Sequence, residues 1–448
     1  MLTGSSASVD RSRDTQQPWW DAAEAMPRPA LRQLQAERLR ATVSQAAHTP
    51  FYQEQMRVSG VTADDIQSVE DIRRLPFTTK EDLRSHYPLG FLAIPRSEVA
   101  RYHGSSGTTG QPTFVAYSQR DLKMWSNLCA RFLYAGGLRP EHTVHVAFGY
   151  GLFTGGFGLH YGIEAVGAAV IPVAAGNTRR QVLILSDLQP EVLVCTPSYA
   201  LSIAEVCNLE GVDPHGLRLR YGHFGGEPWT VQMRHQIEEQ LGIEAFNNYG
   251  LSEIIGPGVS GECGVHEGMH VQEDHFIVEC VDPDTLEPIE DGTYGELVFT
   301  TLTKEAMPII RYRTRDIAAL ETCPCPCGRT TVRMHRVVGR TDDMLIIRGV
   351  NVYPSQVEEA LLQVEGAAPH YLIEIHRPGA LDEATVKVEV LPQVFSDRMR
   401  DLQALRDSLE AAIESNTGVR MRVELAQEHT LERTAGKSKR VLDHRKLE

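Results

Sequence analysis

The sequence predicts an α/β protein: a large N-terminal domain of βαβ-derived sheets with a β-rich subdomain, then a small α+β C-terminal domain. Three observations predict it. At 448 residues the chain exceeds what one ordinary hydrophobic core organises, so two or more domains are expected. From Arg120 to about residue 250, short apolar runs ending in glycine or polar loops alternate with amphipathic helical stretches. From about Gly256 the texture becomes β, and it changes again at VGRTDDMLIIRGVNVYPSQVEEALL, where a strand pair leads into a helix. The boundary falls at Gly339 to Asp343, giving domains 1–339 and 340–448.

The chain begins with MLTGSSASVDRSRDTQQ, which is polar and lacks the apolar core of a secretory signal, so a loose tail is expected. From Trp19 to about Ser97 the pattern is helical. LRQLQAERLRATVSQAA places apolar residues three and four apart, and PFTTKEDLRSHYP reads as a capped short helix. No catalytic spacing is visible there, and the segment is expected to form a lid or packing layer. After a Ser/Thr/Gly-rich loop, RDLKMWSNLCARFLYAGG predicts an amphipathic helix that ends at Gly136 and Gly137. HTVHVAFGYGLFTGGFGLHYGIEAVGAAVIPV then predicts strand, Gly/aromatic loop, helix and strand, and the rhythm repeats through GIEAFNNYG. In such a sheet the loops GYGLFTGG, GGEP and NNYGLSE meet at one edge, where α/β proteins bind ligands. Beyond them, MHVQEDHFIVECVDP, TYGELVFTTL and IIRYRTRDIAAL read as strands, with DPDTLEPIEDG as a hairpin connection. HYLIEIH, ATVKVEVL and RMRVELA are strands of the small domain, and DRMRDLQALRDSLEAAIESN is its amphipathic helix.

The net charge of −15 leaves no basic footprint for nucleic acid. No apolar run approaches the roughly 20 residues of a membrane span. The cytoplasm is the default compartment on this reading, and the eight cysteines are then expected to be reduced.

The sequence is organised around YHGSSGTTGQPT, Tyr102 to Thr113. Its glycines allow backbone amides to approach a ligand closely, and its hydroxyls add neutral donors, which suits a loop wrapped on phosphate oxygens. A P-loop ends in Gly-Lys-Ser/Thr, whereas here Gly110 is followed by Gln111 and Pro112. Positive charge must therefore come from Mg²⁺ and from elsewhere in the chain. A polar surface loop is the alternative.

SSGTTGQPT, NNYGLSE, IIRYRTRD, GRTDDMLIIRGVNVYP and RTAGKSKR occur in the order and approximate spacing of the adenylate-forming ligases. That superfamily holds acyl-CoA synthetases, carrier-loading adenylation domains and luciferases. GLSEIIGPGV, VQEDHFIVE, CPCGRT and MLIIRGVNVYPSQVE make the chain resemble the phenylacetate–CoA ligase branch, from about Trp19 to the end. The resemblance implies a mobile C-terminal domain and an ATP site. Its phosphate loop comprises Ser105, Ser106, Gly107, Thr108, Thr109 and Gly110, with Ser105, Thr108 and Thr109 as the hydroxyl donors and Thr108 also catalytic. Gly225, Gly226, Glu227 and Pro228 line the adenine and Tyr249 lies on its ring, while Asn247, Asn248, Gly250 and Ser252 also belong to the nucleotide site. A flat π-face suits a purine. Glu253 matches the Mg²⁺ carboxylate, Asp316 the acid on the ribose hydroxyls, Arg340 the ribose–phosphate base and Asp342 the hinge. Lys437, after Gly436, matches the catalytic lysine, which bridges the attacking carboxylate and the α-phosphate. Glu432 stands where the family often has proline, which bears on the stiffness of that loop.

An aromatic acid is expected because HVAFGYGLFTGGFGLHYG supplies Phe148, Tyr150, Phe153, Phe157 and Tyr161, with Gly151 and Gly155 leaving room for a flat ring. Tyr150, His160 and His223 could hydrogen-bond a ring substituent, and Gly225 completes the pocket. The implied reaction activates a phenylacetate-, benzoate-, salicylate- or anthranilate-type acid as acyl-AMP and passes it to CoA. A carrier-protein phosphopantetheine is the alternative acceptor; a non-catalytic nucleotide-binding module and a zinc-ribbon nucleic-acid binder are the other classes. A homodimer is left open.

Cys323, Cys325 and Cys327 alternate in CPCPCGR, and Cys263, His266 and His270 lie upstream. Sulfur and imidazole in a reducing compartment favour tetrahedral Zn²⁺. Some members of the resembled branch carry such a metal, and the preferred ligands are Cys263, His270, Cys325 and Cys327. Reduced thiols without metal are the alternative.

Overall fold

Helices α1 (Arg28–Ala46), α2 (Pro50–Ser59) and α3 (Lys80–Ser85) come first. Thr49 and Thr79 cap α2 and α3 by accepting the amides of Tyr52 and Asp82, which would otherwise be unpaired at the helix starts. The segment packs as a layer, since Leu39, Val43, Phe51, Tyr52 and Phe91 all join the main core. The computed structural model describes residues 19–105, 113–348, 350–377, 382–391, 399–427, 429–431 and 440–445.

A hairpin of β1 (Val99–Gly104) and β2 (Phe114–Ser118) flanks the Ser/Thr/Gly-rich loop, and Ser118 caps α4 (Gln119–Ala135). The predicted alternation follows as β3 (Thr143–Val146), α5 (Thr154–Val166), β4 (Ala169–Pro172), α6 (Thr178–Leu188), β5 (Val192–Cys195), α7 (Pro197–Leu209), β6 (Tyr221–Phe224), α8 (Val231–Leu241) and β7 (Glu244–Leu251). Then come β8 (Gly256–Glu262), β9 (Met269–Val271), β10 (Phe276–Val281), β11 (Gly295–Thr301), β12 (Tyr312–Ala318), β13 (Leu320–Glu321), β14 (Arg333–Met334) and β15 (Gly339–Arg340).

One nine-stranded sheet runs β13-β14-β9-β8-β7-β6-β5-β3-β4. It is parallel from β4 to β7 and antiparallel from β7 to β13. All four residues of β5 are buried, as expected of a strand covered on both faces. Strands β10, β11, β12 and β15 form a second, antiparallel sheet.

The C-terminal unit contains β16 (Leu345–Ile347), β17 (Val350–Val352), α9 (Pro354–Leu362), β18 (Ala367–His376), β19 (Glu383–Val390), α10 (Met399–Thr417), β20 (Arg422–Ala426) and β21 (Val441–Asp443). Its sheet, β20-β19-β18-β21, has a core of its own that includes Ile347, Val357, Ile373, Val386 and Leu409. Gly339 and Arg340 pair with β12 of the large unit, and the small core starts at Leu345. Glu205 of α7 and His370 of β18 meet across the units at 2.8 Å. Among the described residues no helix is long and apolar enough to cross a membrane.

Candidate active site

The parallel half of the sheet delivers its strand ends to one edge. After β6, Gly225 passes so close to β7 that a Cβ there would lie 2.5 Å from the Asn248 carbonyl oxygen, and Gly226 turns with φ +86°. Only glycine tolerates both the approach and the turn. Asn248 holds the two loops together by donating Nδ2–H to the Phe224 carbonyl at 2.8 Å, and Glu227 accepts the Ser198 amide at 2.8 Å. Asn247 donates its amide to Glu262 at 2.7 Å.

Three of the predicted nucleotide residues form one chain. The Tyr249 hydroxyl donates to Asp316 Oδ2 at 2.6 Å, and Arg340 Nη1 donates to Asp316 Oδ1 at 3.1 Å. Arg340 also grips both carboxylate oxygens of Asp342, at 2.8 and 2.9 Å. The Tyr249 ring stacks on Phe299 at 5.9 Å, and burial followed by the Asp316 charge pushes its phenol well above the ordinary value. The pairing of β12 with β15 brings Asp316 and Arg340 side by side, as Cα partners in the register.

The turn after β7 holds Ser252 and Glu253. Ser252 hydrogen-bonds Thr154 at 3.0 Å, which ties the turn to the start of α5, and a Cβ at Gly250 would meet the Gly256 carbonyl at 1.9 Å. Glu253 is buried, with Lys80 Nζ 3.7 Å from its Oε1 and Lys304 Nζ donating to its backbone carbonyl at 3.0 Å. Burial pulls the Lys304 ammonium down to about 8, while Asp121 and Glu253 act to raise it. Neither lysine belongs to a motif. Lys80 sits on α3, 173 residues before the carboxylate it approaches, and the sequence shows at most that its helix is capped.

On the acid side, the Tyr150 hydroxyl and His160 Nδ1 lie 3.1 Å apart, and Tyr150 meets Phe157 edge-on at 5.2 Å. Gly151 turns with φ +126°. Gly155, already within α5, lies against the rings of Phe153 and Phe148, and Phe148 also approaches Gly226. Arg101, which the sequence did not single out, lays its guanidinium over Phe157 and Tyr161 at 5.1 and 4.8 Å. His223 is not with this group. Its ring lies against Phe246 (5.4 Å) and Phe132 (6.2 Å) in the core, Nε2 has no partner among the described residues, and burial lowers it to about 3.

A second cluster joins the turn after β8 to the loop before β14. The ligand atoms of Cys263, His270, Cys325 and Cys327 all lie within 4.8 Å of one another. Cys263 and Cys325 sulfurs are 3.8 Å apart, Cys327 Sγ is 3.4 Å from His270 Nε2, and His270 Nδ1 is held by Thr331 at 3.2 Å. The hydrogen bond between Cys263 and Cys327 lowers the Cys327 thiol and raises that of Cys263. Cys323 is exposed, and His266 turns away to Glu244 at 3.0 Å, so neither joins. Ser105 is described and donates its amide to the Thr113 carbonyl at 3.0 Å. Ser106, Gly107, Thr108, Thr109, Gly110 and Lys437 lie outside the described residues.

Residues 32–302 match the model of the AMP-binding enzymes, and residues 349–445 that of the AMP-binding enzyme C-terminal domain. The chain belongs to the AMP-binding enzyme family, whose members form adenylates. Within it, the chain stands in the branch of the phenylacetate–CoA ligases. It is 51% identical to the phenylacetate–coenzyme A ligase of Thermus thermophilus over 438 residues, covering 94% of this chain and 98% of that one. With the Escherichia coli enzyme of the same name it shares 45% identity over 430 residues, 95% and 98% of the two chains. Among solved structures, 2-hydroxyisobutyryl-CoA ligase in its postadenylation state superposes with a TM-score of 0.91 at 30% identity, over 97% of this chain and 94% of that one. In its thioesterification state the TM-score is 0.71, over the same shares.

Proposed function

We propose that the protein is an AMP-forming ligase that joins a small aromatic acid of the phenylacetate type to CoA. The observation that carries this reading is the Tyr249–Asp316–Arg340 chain beside Glu253, in a molecule 51% identical to a phenylacetate–coenzyme A ligase. Tyr249 covers the adenine, Asp316 takes the ribose hydroxyls that its bond to Tyr249 now mimics, and Arg340 orients Asp316. Glu253 is the carboxylate that would hold Mg²⁺, which supplies charge neutralisation on the phosphates. Lys80 adds positive charge on the same side, where the phosphate loop has none of its own. The acid lies among Phe148, Tyr150, Phe153 and Gly155, with its carboxylate toward the α-phosphate.

In the first step a carboxylate oxygen bonds to the α-phosphorus as pyrophosphate leaves. Here Thr108 and the rest of the phosphate loop hold the nucleotide, and Lys437 bridges carboxylate and phosphate. In the second, the CoA sulfur attacks the acyl carbon and AMP departs. The small domain, which we place from about residue 340 onward, turns about Asp342 between the steps.

Cys263, His270, Cys325 and Cys327 fit a closed structural Zn²⁺ site. A tetrahedron with metal–sulfur bonds of about 2.3 Å has edges of about 3.8 Å, the separation of the Cys263 and Cys325 sulfurs. The metal would tie two loops of the large sheet together and take no part in chemistry.

An ATP–pyrophosphate exchange screen over small acids tests the substrate class. Phenylacetate and substituted aryl acids should support exchange at least about tenfold better than 2-hydroxyisobutyrate, the ratio that one or two kcal/mol of ring burial supplies. Equal or better exchange with the branched hydroxy acid would overturn the aromatic assignment.

A further inference from the structure

Lys304, in the turn after β11, is only 3% exposed. Among the described residues no carboxylate lies at ion-pair distance from it. Its contacts are the Glu253 carbonyl at 3.0 Å and the face of Tyr117, whose ring centre is 5.3 Å away. Asp121 on α4 and Glu253 are the acids whose charges act on it. The Asp121 carboxylate, however, is occupied by the amides of Ser118, Glu305 and Ala306 at 2.9, 2.6 and 2.9 Å. Glu305, next in the chain, accepts from the Ser118 hydroxyl at 2.7 Å. A desolvated ammonium whose hydrogen bond among the described residues is to a carbonyl is a cost to folding, and an apolar side chain of equal length would avoid it.

The geometry gives that cost a use. The carbonyl that Lys304 holds belongs to the residue whose carboxylate faces Lys80 at 3.7 Å. The rest of the turn is fixed as well: Ser252 by Thr154 at 3.0 Å, and Ile254 and Ile255 by the Leu251 carbonyl at 3.1 Å each. With its peptide pinned, Glu253 has only side-chain torsions left with which to place its carboxylate.

We propose that Lys304 is a positioning residue for the Mg²⁺ carboxylate, fixing the Glu253 peptide with a charged donor so that its carboxylate faces the nucleotide phosphates. The inference rests on the reading of Glu253 as the Mg²⁺ ligand. It requires the charge, because a hydrogen bond from an ionised donor is roughly twice as strong as a neutral one.

The test is ATP affinity, measured by calorimetry with and without Mg²⁺, for the wild type, Lys304→Met, Lys304→Gln and Glu253→Gln. In the wild type Mg²⁺ should tighten ATP binding. Lys304→Met should lose about tenfold of that gain, the factor one charge-assisted hydrogen bond gives, and should leave metal-free ATP affinity within about twofold. Lys304→Gln keeps a neutral N–H donor and stands in if the methionine variant does not fold; it should lose about threefold of that gain, since a neutral donor keeps about half the strength of the charged one. A wild-type ratio of the two affinities in the variant that folds would overturn the proposal. So would an equal loss with and without metal, which would mean that Lys304 acts on the phosphates directly. A full gain in Lys304→Gln alongside a loss in Lys304→Met would refute the need for charge. Glu253→Gln separates the two levels: if it retains the Mg²⁺ gain, the ligand assignment fails, whatever Lys304 does.

Discussion

Single residues carry both the chemistry and some of its cost. His223 shows how a polar side chain near an active-site sheet can belong to the core. It sits on β6 one residue before Phe224, and its ring is packed between Phe132 and Phe246. Burial lowers it to about 3, below the roughly 6.5 of an unfolded histidine. The unfolded chain therefore binds the proton more readily, so stability is full above about pH 6.5 and falls as pH drops toward the folded value, by on the order of a few kcal/mol at the bottom of that window. His223→Leu should flatten this loss. Urea denaturation at pH 7 and pH 4.5 checks it: the wild type should lose clearly more stability than the variant between the two. Equal losses would show that the imidazole is free to protonate in the folded protein. Sequence could not separate His223 from His160, since both stand close to loops expected at the ligand-binding edge of the sheet. What differs is the face: His160 is half-exposed on α5 with Tyr150 and Glu164 as partners, while His223 points into stacked rings.

At the level of elements, the parallel half of the main sheet was legible because buried strands read as short apolar runs and their helices as amphipathic stretches. The β-rich half was only partly so. Strands β13 and β14 have two residues each, too few for any periodicity to register. β14 is placed by pairing with β9, more than 60 residues earlier, and β13 in turn by pairing with β14. The thiol–imidazole cluster lies at this join. That Cys263, His270 and the two final cysteines of CPCPCGR come together was legible in the sequence, whereas Cys323 stays apart, exposed in the loop after β13. Since the two loops are joined there, removing a ligand should loosen both. Purified, untagged protein should contain about one Zn per chain, as a single four-ligand site implies. Cys325→Ser should lower metal content and melting temperature together. A metal-free protein from zinc-replete growth, with unchanged melting in the variant, would leave four reduced thiol and imidazole groups with no metal to hold.

For the whole molecule, the small unit has a core of its own beside the two clusters of the large unit, and the short connection from Arg340 to Leu345 suits the two arrangements proposed above. The present one aligns with a postadenylation structure at a TM-score of 0.91 and with a thioesterification structure of the same ligase at 0.71. In it, His370 is paired with Glu205 and Arg336 lies 3.7 Å from Glu359, contacts that the proposed turn of the small domain would break. The residues proposed for the nucleotide lie in contiguous motifs and could be picked out from sequence, whereas Lys80 and Lys304 approach Glu253 from elements 173 and 51 residues away and leave no local signal. The central claim is that one site first makes an acyl-adenylate and then passes the acyl group to CoA. A rapid-quench single turnover with ATP labelled at the α-phosphate and phenylacetate tests it most directly. Without CoA, labelled phenylacetyl-AMP should accumulate on the enzyme with release of pyrophosphate, and added CoA should convert it to labelled AMP and thioester. Formation of labelled ADP, or of thioester with no adenylate preceding it, would contradict the account.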